Sequence, residues 1–247
     1  MMKSLTDYQP NQAFGLLLIG EPKAGKSSLA CQFPDCYVLD VDNNIGGAKR
    51  RLQELNKLSN VIGYDVLKLN DDGSPVDDKK CWKRALELLT KAINDPKVKT
   101  VIVDSLTYLC DYLQFHIMEE QKVTQMRIQD WQPFLWALRK LVVQMRSAGK
   151  LIIFTCHVQT EKDETDGIFK TFLAIPGKSK DTLGGLFSDV WLMTCKKEGA
   201  GSSERYPYMV RCMPNTKVSL GNSLGLPPEF EADYDKFIKP KLEALGK

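Results

Sequence analysis

The chain has 247 residues, 26% of them charged and 43% hydrophobic, a balance that fits one large globular domain and excludes a disordered or membrane-embedded chain. A formal net charge of +3 is too small to argue for nucleic acid by itself, so any DNA-binding surface must be local. Seven cysteines with no Cys-x-x-Cys pair, and only two histidines, indicate neither a disulfide framework nor a zinc cluster; they read as buried thiols of a reducing cytosol.

Residues 1–13 are a polar lead-in with neither the apolar segment of a signal peptide nor a Met-Gly start, so a cytoplasmic location and no membrane partner are expected. An apolar strand follows at about 14–19. It runs into Gly20-Glu21-Pro22-Lys23-Ala24-Gly25-Lys26-Ser27, which fits Gly, four residues, Gly-Lys-Ser/Thr in the strand-to-turn context that a phosphate-binding loop requires. Glycines at both ends let the backbone approach an anion, and successive N–H groups supply partial positive charge. Lys26 would reach the β- and γ-phosphates, Ser27 would offer its hydroxyl to Mg2+, and Ser28 is next in line as a nucleotide contact. The helix opened there must stop before Pro34.

Tyr37-Val38-Leu39 reads as the second strand, ending in Asp40-Val41-Asp42, and a basic helix follows Gly46-Gly47. A third strand is expected at 64–69 and a helix from Asp77 to Asn94. Val101-Ile102-Val103 is a buried strand that delivers Asp104 and Ser105 at its carboxyl end, where ligands of α/β sheets bind. Asp104 is the expected metal partner, with capping of the next helix as its competing use. Helices are expected at 106–127 and 131–148, the second with an apolar face from Trp131 to Met145.

Another buried strand, 151–155, leads to His157, which could sense a γ-phosphate; Gln159 could do so in a shifted register. Asp42 is the choice for aligning the attacking water, against a reading in which Asp40 and Asp42 both cap the next turn or tune the metal site. Segments 168–175, 190–195 and 206–212 read as the antiparallel edge of the sheet, and 226–247 as a C-terminal loop and helix beyond a core of 14–225. Lysines and aromatics alternate around Lys162, Phe169 and Lys170, a pattern suited to single-stranded DNA, although an ordinary hairpin shares it. Lys178 and Lys180 could reach a neighbouring subunit's γ-phosphate in trans, with Arg205 and Arg211 as competitors.

Gly20 to Ser27, Asp40-Val41-Asp42, Val101 to Ser105 and Thr155-Cys156-His157 together resemble the RecA-like division of P-loop ATPases. With Pro176-Gly177-Lys178-Ser179-Lys180, the wording is most similar to the small bacteriophage RecA-like proteins of the Sak group, single-strand-annealing recombinases. The resemblance spans roughly 14–195 and implies a three-layer α/β core with a mostly parallel sheet and antiparallel C-terminal edge strands. It also implies Mg2+-dependent ATP hydrolysis, single-stranded DNA binding, a homo-oligomeric ring or filament, and work beside a single-strand-binding protein in the host cytoplasm. RecA itself carries glutamate where this chain has Asp42 and glutamine near His157. A nucleotide or small-molecule kinase and a nucleotide-dependent assembly switch in phage replication or packaging are the other expectations. The absence of arginine from 158–180 weighs against a kinase lid.

Overall fold

The computed structural model describes residues 14–162, 167–200 and 203–246; the expected lead-in lies outside them. In chain order the elements are β1 (Gly15–Ile19), α1 (Lys26–Ala30), β2 (Cys36–Asp40), α2 (Gly46–Glu54), β3 (Val61–Val66), α3 (Asp78–Asn94), β4 (Thr100–Asp104) and α4 (Leu106–Glu120). Then come α5 (Trp131–Arg146), β5 (Leu151–Cys156), β6 (Val158–Lys162), β7 (Phe169–Leu173), α6 (Ser179–Thr182), β8 (Asp189–Cys195), β9 (Tyr208–Arg211), β10 (Glu229–Glu231) and α7 (Lys239–Ala244). No helix among the described residues is long and apolar enough to cross a membrane.

Eight strands form one sheet in the order β10-β9-β8-β1-β5-β4-β2-β3. The run from β8 to β3 is parallel, and β9 and β10 close the other edge antiparallel. Central strands that are buried along their length must be covered on both faces, and they are. Leu17, Val103 and Phe154 point into the layer made with α3, α4 and α5, whereas Leu16, Leu18, Ile102 and Ile153 point into the layer made with α1, α2 and the C-terminal segment. This is the RecA-like three-layer α/β architecture, with antiparallel strands at one edge.

Several local expectations are corrected. β8 pairs in parallel with β1 and antiparallel with β9, so it joins the parallel sheet to its antiparallel edge instead of lying wholly within that edge. β7 is not in that sheet at all; it pairs antiparallel with β6 in a separate hairpin, Gln159 facing Phe172. The third strand lies at 61–66 instead of 64–69, because Leu69 N–H donates back to Val66 and closes the strand with a turn. The helix begun at Leu106 stops at Glu120, where Lys122 takes a left-handed φ of 52° that a continuing helix cannot accommodate. The C-terminal segment is more than a loop and helix: it also supplies β10, and it buries Phe230, Tyr234, Ile238 and Leu242 in the core.

Candidate active site

Parallel strands put their carboxyl ends on one side of the sheet, and the register sets which residues meet there. Ile19 is opposite Cys156, and Asp40 is opposite Asp104, so the loop of 20–27, the two acidic strand ends and His157 converge. Glu21, Pro22 and Lys23 form the exposed crest of the loop, while Gly20, Ala24 and Lys26 are buried and Gly25, Ser27 and Ser28 are half-buried.

The glycines are required by close approach. A Cβ on Gly20 would lie 2.5 Å from the carbonyl oxygen of Met193, and one on Gly25 would lie 2.7–2.9 Å from the ring of Tyr208. Gly25 also has a φ of 88°, where side chains other than hydrogen are strained. Gly20 N–H donates to Cys156 across the β1–β5 pair at 3.2 Å, tying the start of the loop to the strand that carries His157.

Lys26 folds over its own loop. Its ammonium donates to the carbonyls of Gly20 and Glu21, each at 2.9 Å, and lies 3.3 Å from His157 Nδ1. Burial lowers its pKa, and Asp104, Cys156 and Asp42 offset part of that lowering. The imidazole of His157 stands edge-on to Tyr108 at 5.9 Å between centroids, and its backbone N–H donates to Thr107 Oγ1 at 3.0 Å. Its pKa is also lowered, first by burial and then by the charge of Lys26.

Asp104 is buried at the floor, where it accepts hydrogen bonds from the hydroxyls of Ser27 and Thr155. Burial raises its pKa and the two hydroxyls pull it back. Ser105, which could have added a polar contact, is buried with no partner for its hydroxyl among the described residues.

The two candidate acids at and just beyond the end of β2 separate by role. Asp40 is fully buried and accepts from the backbone N–H groups of Asn44 and Ile45, both at 3.0 Å, so it closes the turn into α2. Asp42 is half-buried with one carboxylate oxygen that has no partner. Its pKa is pushed up to about 7 by burial and then by the like charges of Asp104 and Asp40. A group with that value at the carboxyl edge suits proton transfer or alignment of water near neutral pH.

The remaining candidates lie along the rim. Lys162 and Phe169 face each other on the β6–β7 hairpin, both exposed, and Lys170 is half-buried beside them. Lys180 is engaged within its own chain, paired with Glu161 at 2.6 Å and lying 4.9 Å from the centroid of Phe172, whereas Lys178 is exposed at the start of α6. Arg205, one competitor for the trans role, pairs with Glu198 at 2.6 Å.

The residue reading assigned no part to Thr155, Thr107 or Tyr208. A threonine inside the otherwise apolar strand 151–155 was a legible signal; the other two become neighbours of the site only on folding.

No curated protein matches the chain. Among solved structures it is similar to a KaiC-like protein from the hyperthermophilic archaeon Pyrococcus horikoshii OT3, at 12% identity and a TM-score of 0.40 over 81% of this chain and 78% of that one. The AAA domain family model matches residues 13–213, from the strand before the phosphate loop to just beyond β9. The chain belongs to the AAA domain family, and it is a P-loop ATPase.

Proposed function

We propose that this ATPase is Mg2+-dependent and acts on single-stranded DNA in phage recombination or annealing, assembled as a homo-oligomer. The observation that carries the reading is a direct covalent link between two sites. His157 stands 3.3 Å from Lys26, and the next residue begins β6, the first strand of the hairpin bearing Lys162, Phe169 and Lys170. A change in the contacts of His157 on binding of a γ-phosphate would therefore reach the hairpin through one peptide unit.

The residues present suit Mg2+. The donors are hard oxygens, Ser27 and Asp104, and Asp42 presents a partnerless oxygen beside them, all appropriate to an ion that takes few protein ligands and keeps several waters. When bound with ATP, Mg2+ neutralises charge on the β- and γ-phosphate oxygens. Lys26 would leave the carbonyls of Gly20 and Glu21 for those oxygens, and the loop amides would hold the phosphates. Asp42 would align water and accept its proton, while Asp104 stays fixed by Thr155. Lys178, exposed just before α6, is the cation of this segment best placed to act on a neighbouring subunit. Lys180 would first have to leave Glu161. A single-strand-binding protein is the partner that such a role would require.

The test is ATP hydrolysis with and without single-stranded DNA, on the natural sequence, Lys26→Ala and the double variant Lys162→Ala/Phe169→Ala. Stimulation by DNA that vanishes in the hairpin variant, with DNA-independent hydrolysis retained there and lost in Lys26→Ala, is the expected outcome. Equal binding of a fluorescent oligonucleotide with ATP, ADP or no nucleotide would reject the coupling.

A further inference from the structure

α5 covers the sheet with one face and leaves the other bare. Phe134, Leu138 and Leu141 are buried beneath it, as their spacing of four and three dictates. The opposite face carries Trp136, 61% exposed, and Val143, 53% exposed. Tryptophan is a largely buried residue type, and exposed apolar groups gathered on one face mark contact sites. At about 100° per residue the two side chains fall within roughly 20° of one another, about 10 Å apart along the helix. Ile128, 92% exposed on the turn that leads into α5, adds a third apolar group.

Arg139 and Lys140 flank this row, roughly 60° to one side of Trp136 and 40° to the other. Both are exposed, and neither side chain has a hydrogen bond or ion pair among the described residues. α5 contains no aspartate or glutamate to offset them. In the same layer, by contrast, Lys79 and Lys83 of α3 pair with Glu119 and Glu120 of α4 at 2.6 and 3.3 Å. The outer face of α5 is therefore both apolar and positively charged without compensation.

Apolar anchors two turns apart between uncompensated cations are the complement of a helix that presents apolar residues at helical spacing with acids at their sides. We infer that the outer face of α5 docks an acidic amphipathic helix of a partner protein. Trp136 is its anchor, Val143 the second apolar contact, and Arg139 and Lys140 meet the partner's carboxylates. Tryptophan and arginine are the side chains that most often dominate binding at such interfaces. Two copies of this chain do not pair through this face about a two-fold axis, because the same cations would be brought together. Single-stranded DNA fits less well, since Val143 and Ile128 have no ring on which a base can stack. The face belongs to neither the loop of 20–27 nor the β6–β7 hairpin, so its occupant is additional to nucleotide and DNA.

The experiment pans a yeast-displayed library of random peptides of about 16 residues, long enough to form a helix, on the natural protein. Recovered peptides are then measured by fluorescence anisotropy against the natural protein, Trp136→Ala, Trp136→Phe and Arg139→Glu/Lys140→Glu. All four side-chain changes are at exposed positions, so the variants are expected to fold, and thermal unfolding checks it. The expected peptides are rich in Asp and Glu with apolar residues three, four and seven apart. Their affinity should fall about tenfold or more in Trp136→Ala and in the charge-reversed variant, less in Trp136→Phe, and should weaken with added salt. Recovery of no peptide that depends on Trp136, or of Trp136-dependent peptides without an excess of acids, overturns the inference. So does loss of oligonucleotide binding in Trp136→Ala, which would make the face a DNA surface. A lower mass of that variant by light scattering would make it an interface between copies and would overturn the inference equally.

Discussion

Lys26 Nζ lies 3.3 Å from Nδ1 of His157, and burial disfavours the charged form of both side chains. The pairing holds only while one partner is neutral, since two full positive charges at that distance repel. The ring of His157 should therefore titrate below the ordinary histidine value of 6.5, and Lys26→Met should move it upward by removing the cation. Histidine ring resonances followed by NMR across a pH series measure both. A ring that titrates at or above the ordinary value in the natural protein would show that Lys26 does not face it in solution.

Asp42 gives a prediction of opposite sign for activity and stability. Its folded pKa of about 7 exceeds its ordinary value of 3.8, so the folded state holds a proton that the unfolded chain has released. Stability from this group is complete below the lower value and is lost as pH rises through the window to about 7. Asp42→Asn removes that loss, and at pH 8 it should raise Tm by roughly 2–4 °C for each kcal/mol regained. The same substitution should cut ATP turnover by about 10²–10⁴-fold while sparing ATP binding, and should abolish a rise in kcat/KM centred near pH 7. An unchanged pH profile would move the water-aligning role to another group.

Thr155 holds the buried carboxylate that would carry the metal. Thr155→Val keeps the shape and removes the hydroxyl, leaving Ser27 as the remaining side-chain donor named for Asp104. The lost bond leaves a buried carboxyl short of a donor, so urea unfolding should show a cost of about 1–3 kcal/mol. Magnesium affinity in the presence of ATP should fall as well, because Asp104, held then by Ser27 alone, is less firmly oriented toward the metal. A variant as stable as the natural protein would show that Thr155 only fills space.

Gly25 is constrained twice, by its backbone and by Tyr208. Gly25→Ala should lose about 1–2 kcal/mol to the left-handed backbone alone, plus the cost of displacing the Tyr208 ring. In Gly25→Ala/Tyr208→Leu the ring contact is relieved but the backbone strain is not, so recovery should be partial. Full recovery in the double variant, measured by thermal unfolding, would show that the ring was the whole constraint.

The loop of 20–27 was legible because its eight residues are contiguous and their chemistry is local: glycines at the two turns, a lysine and a hydroxyl, after an apolar strand. The apolar runs 15–19, 101–103 and 151–154 were legible for a related reason, since a run with no polar position can be satisfied only between two covering layers. Neighbours brought in from far along the chain decided the rest. Asp40 and Asp42 are equivalent in sequence, but only the folded turn gives Asp40 two amide donors and leaves Asp42 desolvated beside Asp104 with an oxygen unmatched. Segments 169–173 and 189–195 have similar strand composition, yet one pairs with β6 outside the main sheet and the other inserts beside β1. Composition states that a segment prefers to be extended; which edge accepts its hydrogen bonds is settled by burial and register, which exist only in the assembled sheet.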